Sequence, residues 1–200
     1  MLLRSRDSSS LVIDTLSDWA RGQNVAVACF YFDFAAQKKQ SPISILISIL
    51  KQVVCGLEEI PARIAQAFRD QDNVVGGPGP ELREIVEMLQ DISSSRPTFI
   101  CIDAVDECPA EYRVGLLHSL KQVLRKSPNI RIFLAGRLQI RDEMEKCLAG
   151  GIIAVCIIPT KNDIILFLRS KLKSDATPDA MDKSLEGDII KSIPEAVSEM

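Results

Sequence analysis

Four near-continuous apolar runs constrain the fold of this chain more than any other feature of its sequence. Helical patterns separate the runs from one another. An alternating pattern is expected where one face of a strand meets water, whereas uninterrupted apolar runs are typical of strands that helices cover on both faces. The runs therefore predict a parallel sheet with strands at residues 25–34, 98–105, 130–136 and 152–158.

The segments between the runs carry apolar residues at helical spacing. One such pattern begins after Pro42 and another after Pro80, and proline is tolerated in the first turn of a helix. Strands that alternate with helices require crossover connections, so we expect an α/β fold, a three-layer sandwich around the parallel sheet. The pattern changes after the last run, which predicts a core over residues 1–160 and the start of a helical subdomain over residues 161–200.

Charge and run length argue against two kinds of partner. The 24 basic and 27 acidic residues are interleaved and give a net charge of −3, so no basic face for a nucleic-acid backbone stands out. None of the apolar runs approaches the roughly 20 residues that cross a bilayer. The six cysteines lie mostly in apolar segments and lack metal-ligand spacing. We therefore expect reduced, buried thiols, a cytoplasmic location, and neither a nucleic-acid nor a membrane partner.

An acidic cluster after the second apolar run is the strongest candidate for chemistry. Asp103, Asp106 and Glu107 follow a predicted buried strand, and open α/β sheets bind ligands at the carboxyl ends of their strands. In nucleotide hydrolases the first aspartate of such a cluster holds Mg²⁺, usually through water, and a following acid polarises the attacking water. Asp103 would then be the metal-side residue and Glu107 the base. The alternative is a strand end that enters a helix, whose N-terminus favours acidic residues.

Arg137 directly follows the third predicted strand. An arginine at this place in the sheet can contact a γ-phosphate and stabilise charge during phosphoryl transfer. The alternative is an ordinary solvated surface charge, since arginine prefers exposed positions. Its position next to the acidic cluster in the predicted sheet favours the phosphate role.

Four segments, in this order, resemble those of a known family. They are ACFYFDF, PTFICIDAVDEC, IRIFLAGR and the helix entry DIILFL, and they are similar to the NACHT-type P-loop NTPases of the STAND class. The specific resemblance is to the nephrocystin-like N-terminal domains common in fungal ankyrin- and WD-repeat proteins, and it covers roughly residues 11–199. It implies a P-loop NTPase fold, a nucleotide-driven signalling switch, and Mg²⁺ with ATP or GTP as cofactors.

The resemblance also implies roles for individual residues. Asp103 matches the Walker B residue that holds Mg²⁺ through water. Asp106 and Glu107 match the catalytic acids of the cluster, and Arg137 matches the sensor arginine, although Leu138 stands where many members have proline.

The glycine-rich phosphate loop of the family has no match in these 200 residues. Family members carry a strand and a loop ending in Gly-Lys-Ser/Thr just before the helix that corresponds to residues 9–20. Here lysine precedes serine four times, and glycine never precedes the lysine. We therefore expect a fragment that keeps Walker B and the sensor arginine, lacks the first strand and the Walker A loop, and does not itself bind or hydrolyse ATP or GTP.

Two other interpretations stay open from the sequence. A non-enzymatic protein-interaction scaffold would keep the α/β framework without nucleotide chemistry, and a generic flavodoxin-like binding domain would make the acidic cluster accidental. The strand without a match lies centrally in the family's sheet, and bare apolar strand edges recruit other chains. The resemblance thus predicts self-association through exposed strand edges.

Overall fold

The computed structural model describes residues 6–35, 40–73, 79–150, 152–157, 160–173 and 183–198. The chain divides into two compact units, Met1–Ile152 and Ile153–Met200. Within the described ranges, no helix is both long and apolar enough to span a membrane. The elements of the first unit are the helices α1 (Arg6–Ala20), α2 (Pro42–Cys55), α3 (Ala62–Asn73), α4 (Leu82–Ser95), α5 (Ala110–Lys126) and α6 (Arg141–Cys147), and the strands β1 (Ala26–Tyr31), β2 (Thr98–Asp103) and β3 (Ile130–Leu134). The second unit contains α7 (Lys161–Lys173) and α8 (Lys183–Ser198).

The strands form a parallel sheet in the order β1-β2-β3. Side chains alternate between the two faces of a strand, and one face carries buried residues such as Ala28 and Ile100, which join buried residues of α2, α4 and α5 in the hydrophobic core. On the opposite face Trp19 of α1 packs edge-to-face on Phe99, with 5.6 Å between the ring centroids. Helices thus cover both faces, and the predicted α/β fold with a parallel sheet is confirmed.

Local sequence sets the starts of two core helices. The Ser41 hydroxyl accepts the backbone N–H of Ser44 at 3.3 Å, and Pro42 occupies the first turn of α2. At α4 the side chains and backbone of Glu81 and Glu84 form a reciprocal capping box. Each of these caps satisfies backbone donors that a helix N-terminus leaves without an intrahelical partner. Both helices that the proline-led patterns predicted are confirmed.

The helix α7 of the second unit, which contains the segment DIILFL, is also capped at its start. The Asp163 carboxylate accepts the Thr160 backbone N–H at 2.8 Å, and the Thr160 hydroxyl accepts the Asp163 N–H at 3.2 Å. The Thr160 hydroxyl also donates to the Asp163 carboxylate at 2.7 Å, and this bond, together with the one from the Thr160 backbone N–H, lowers the pKa of Asp163. The segment DIILFL therefore lies in a helix, α7, and starts in its first turn.

The two edges of the sheet differ. Beside β1, the Gln52 side chain of α2 accepts the Cys29 N–H at 2.9 Å and donates to the Cys29 carbonyl at 2.8 Å. The amide of Gln52 thus satisfies both outward backbone groups of Cys29 at this edge. At β3, the Ala135 N–H donates to a carbonyl of β2 at 2.9 Å, so the backbone groups of Ile132 and Leu134 face away from β2. β3 is the open edge of the described sheet.

The fourth predicted strand is wrong. Residues 152–157 form neither helix nor strand, and Ile153, Val155 and Ile157 are 92%, 76% and 74% exposed. An apolar run becomes a strand only where a neighbouring strand completes its backbone hydrogen bonds. In the part of the chain that the structure describes, no strand pairs with this segment. The last predicted residue, 158, lies outside the described ranges.

The cysteines are less buried than predicted. Cys101 and Cys108 are buried, and burial raises the pKa of each thiol to about 11. Cys55 and Cys156 are exposed, and the remaining two are half-buried. Cys55 is the last residue of α2 and Cys156 lies in the segment that forms no strand, so neither enters the core. All six thiols are free in the structure.

Candidate functional site

The predicted site residues meet at one edge of the sheet. β2 ends at Asp103, which lies opposite Tyr31 of β1, and β3 ends beside it at Leu134. Because the strands are parallel, the chain leaves all three on the same side. The turn after β2 carries the acidic cluster, and the turn after β3 carries Arg137. These two turns therefore face each other.

Asp103 is the last residue of β2 and is 1% exposed. Its Oδ1 accepts the backbone N–H of Ala104 at 2.8 Å. Ala104 has a left-handed backbone, with φ 55° and ψ 43°, which costs a non-glycine residue roughly 1–2 kcal/mol. The left-handed residue turns the chain from the strand into a 3₁₀ turn, Val105–Glu107. Backbone strain of this kind persists only where the surroundings fix it.

Backbone hydrogen bonds fix this 3₁₀ turn to the end of β3. The Val105 N–H donates to the Ala135 carbonyl at 2.9 Å, and the Ala135 N–H donates to the Ile102 carbonyl at 2.9 Å. The Val105 side chain is fully buried in the core. The turn is therefore held against β3 by the fold itself, without the help of a ligand.

Asp106 and Arg137 are in direct contact. Oδ1 of Asp106 accepts the backbone N–H of Arg137 at 3.1 Å, and Oδ2 lies 3.3 Å from its Nε. The Asp106 side chain is 7% exposed, whereas that of Arg137 is 68% exposed. Glu107 ends the same turn and is half-buried. Thus the structure places all four predicted residues at one edge and joins two of them directly.

Arg113 of α5 is a charged residue of this region that the sequence patterns do not predict. It is 12% exposed; its Nε and Nη2 bind Glu143 of α6 at 2.8–3.1 Å, and its Nη1 donates to the Cys108 carbonyl at 2.9 Å. The hydrogen bonds to Glu143 raise the pKa of Arg113. The two residues lie 30 positions apart and on different helices, so no spacing rule within one element could have found the pair.

The described residues do not by themselves fit a magnesium ion. Among them, no group of three or more His, Cys, Asp or Glu side chains stands close enough to hold a metal. Mg²⁺ usually binds through one or two carboxylates together with substrate phosphates. Asp103, at the carboxyl end of β2, fits the carboxylate part of such a set. The phosphate oxygens of such a set would come from a bound nucleotide.

Gly136 permits the close approach of the two turns. A Cβ at this position would lie 2.8 Å from Cδ1 of the buried Ile140 and 3.4 Å from Oδ1 of Asp106. We expect Gly136→Ala to lower the free energy of unfolding by about 1–3 kcal/mol, as overpacked sites do, in urea titrations. Gly115→Ala in α5 is the matched control, because its Cβ meets nothing closer than 3.9 Å. Equal stability of the Gly136→Ala and wild-type proteins would contradict this packing.

The parallel sheet between helices, with an acidic strand end and an arginine beside it, defines a domain of the α/β class. The family model described as nephrocystin 3, N-terminal, matches residues 8–137, which is more than half of the chain. The protein belongs to this family. The matched range includes all three strands and ends at Arg137. No curated protein matches the chain.

Two solved structures are similar to this chain over nearly its whole length. The ORC1 protein of Aeropyrum pernix, solved in complex with DNA, is 16% identical with a TM-score of 0.56, and the match covers 96% of this chain and 45% of that one. A Walker-type ATPase of Pyrococcus abyssi is 12% identical with a TM-score of 0.48, with 98% and 65% covered. At 16% identity, the similarity to the ORC1 protein shows only that the two share a fold. The chain spans less than two thirds of the length of either protein.

Proposed function

We propose that these 200 residues are the Walker B part of a NACHT-type STAND NTPase, which in the intact family is a signalling switch that binds and hydrolyses a nucleoside triphosphate. The observation that carries the proposal is the edge where Asp103 ends β2 beside the Asp106–Arg137 contact. In this proposal Asp103 holds Mg²⁺ through water, Glu107 polarises the attacking water, and Arg137 contacts the γ-phosphate of ATP or GTP. Asp106 belongs to the same cluster.

We further propose that these residues do not bind ATP or GTP by themselves. No lysine that precedes a serine follows a glycine, so none of the sequence can form the Gly-Lys-Ser/Thr loop whose backbone and lysine cradle the phosphates. Arg137 alone cannot replace that loop, because its guanidinium is exposed and already pairs with Asp106.

The experiment that tests the function adds the residues encoded directly upstream of Met1. We expect the longer protein to contain a strand and a Gly-Lys-Ser/Thr loop, to bind MgATP or MgGTP at micromolar concentration, and to melt at a higher temperature when nucleotide is present. Asp103→Asn in the longer protein should remove the Mg²⁺ dependence of binding. An upstream sequence without such a loop would contradict the NTPase function and favour an interaction scaffold.

The second candidate, a non-enzymatic interaction scaffold, is favoured by the open edge of β3. There the backbone groups of Ile132 and Leu134 face away from β2, and Phe133 is 38% exposed. Arg131 covers only the start of this edge, where its guanidinium donates to the Pro128 and Ile130 carbonyls. The interleaved charges favour protein over nucleic acid as a partner, so the DNA of the ORC1 structure is not carried over to this chain. A cytoplasmic location stays a prediction.

We expect the 200-residue protein to self-associate through this β3 edge. Phe133→Lys should weaken the association about tenfold or more, since charged side chains on an edge strand oppose pairing with another chain, as measured by sedimentation equilibrium over a concentration series. Leu124→Lys is the matched control: Leu124 lies on α5, is 37% exposed and undergoes the same change of charge. A monomeric wild-type protein at all concentrations, or an equal effect of both substitutions, would contradict the role of the edge.

A further inference from the structure

The Asp106 carboxylate reaches across the sheet edge to Arg137. Both of its carboxylate oxygens lie against one residue across the sheet edge, Oδ1 on the backbone N–H of Arg137 and Oδ2 near its Nε. We propose that Asp106 is a positioning residue, which sets the backbone path and the side-chain direction of Arg137. This inference rests on the proposed function only for the phosphate-contacting role of Arg137.

The hydrogen bond from the Arg137 backbone N–H contributes more to the positioning of Arg137 than the ion pair does, because of the burial of its acceptor. The guanidinium of Arg137 is 68% exposed, and exposed ion pairs contribute little. The carboxylate of Asp106 is 7% exposed, so it has little access to water that could replace the Arg137 N–H. A buried acceptor on a single backbone donor fixes that donor strongly, because leaving either group without a partner is unfavourable.

The surroundings of Asp106 oppose a role as a metal ligand. Arg137 approaches it from one side, with its Nε 3.3 Å from Oδ2. A divalent cation at Asp106 would have to enter beside this guanidinium, which repels it. Gly136 adds to the positioning, since the space that a Cβ would occupy is 3.4 Å from Oδ1 of Asp106. Asp106 therefore acts through Arg137.

The backbone on both sides of Arg137 is held in place. Arg137 has an extended backbone, with φ −72° and ψ 156°, and the chain then enters a short 3₁₀ turn, Leu138–Ile140, whose Ile140 is buried. The start of this segment is held by Asp106 and its end by the core. The side chain of Arg137 therefore projects from a backbone that is fixed on both sides before any ligand binds.

The test uses the 200-residue protein and no nucleotide, with amide exchange and the Arg137 Nε–H signal followed by NMR. Asp106→Ala should speed exchange of the Arg137 amide about tenfold, the loss of one hydrogen bond, relative to the Ala135 amide in the same sample. Asp106→Asn keeps an acceptor oxygen, so it should restore amide protection while the Nε–H signal still shifts. Asp142→Asn, an exposed aspartate on α6, should change neither signal.

Two results would overturn the positioning role. One is an Arg137 amide in Asp106→Ala that exchanges as slowly as in the wild type. The other is an Nε–H signal that is the same in Asp106→Asn, a variant of nearly unchanged shape, as in the wild type. Because no nucleotide is present, failure of the proposed NTPase function would leave these results unaffected, and failure of the positioning role would leave the nucleotide measurements unaffected.

Discussion

Arg96→Ala is expected to lower the free energy of unfolding by about 2–4 kcal/mol. Arg96 follows α4, is 3% exposed, and donates from Nη1 to the Gly56 carbonyl at 2.8 Å and from Nη2 to the Val53 carbonyl. These carbonyls lie at the C-terminal end of α2, where the last turn of a helix leaves acceptors without intrahelical donors and carries partial negative charge. Alanine would remove both donors and leave a cavity.

Burial partly opposes the contribution of Arg96. Removing the guanidinium from water lowers its pKa, and this desolvation is unfavourable for the charged form. The two carbonyls offset that loss because they lie at the negative end of α2. Replacement of Arg96 by a smaller apolar side chain removes the unfavourable desolvation but leaves both carbonyls without a donor. The loss of the donors is the larger effect.

Urea unfolding of three variants checks this account of Arg96. Arg96→Lys should be intermediate, because an ammonium group lacks the planar fork that reaches two carbonyls. Arg83→Ala is the control: the Arg83 side chain on α4 is 85% exposed and pairs with Glu87, so its loss should change stability by less than about 0.5 kcal/mol. Arg96→Ala with wild-type stability would show that α2 ends stably without the guanidinium.

Features that follow from neighbours in the sequence were predictable. β1, β2 and β3 were each marked by a near-continuous apolar run, and α2 and α4 by helical spacing behind a proline. The position of the acidic cluster at the end of β2 followed from the same run, because the apolar run ends at Asp103. Local pattern was sufficient for β2, α2 and α4 because their apolar residues are mostly buried, as their composition indicates.

Features that depend on distant residues were not predictable. The apolar run at residues 152–157 lacks a described partner strand and does not form a strand, although it is more apolar than β3, which contains Arg131. The bond between Asp106 and the Arg137 amide spans 31 residues and depends on Gly136 for space. Likewise the contacts of Arg113 with Glu143 and of Gln52 with Cys29 join separate elements. Such contacts arise from tertiary packing, which no single-segment pattern encodes.

The largest expected effect concerns nucleotide affinity. The loop ending in Gly-Lys-Ser/Thr supplies charge-assisted hydrogen bonds worth roughly 1.5–3 kcal/mol each, so three or four of them amount to about 5–10 kcal/mol, or some four to seven decades in the dissociation constant. The residues at the described site edge cannot compensate. Asp103, Asp106 and Glu107 are acidic residues, which do not attract phosphate in the absence of a metal, and Arg137 is one exposed cation.

Isothermal titration calorimetry of the 200-residue protein with ATP and GTP in the presence of Mg²⁺ tests the central claim most directly. We expect no saturable binding below millimolar concentration, and traces for the wild type and Asp103→Asn that cannot be distinguished. A dissociation constant in the micromolar range for either nucleotide would contradict the account, because these residues would then bind the phosphates without a glycine-rich loop.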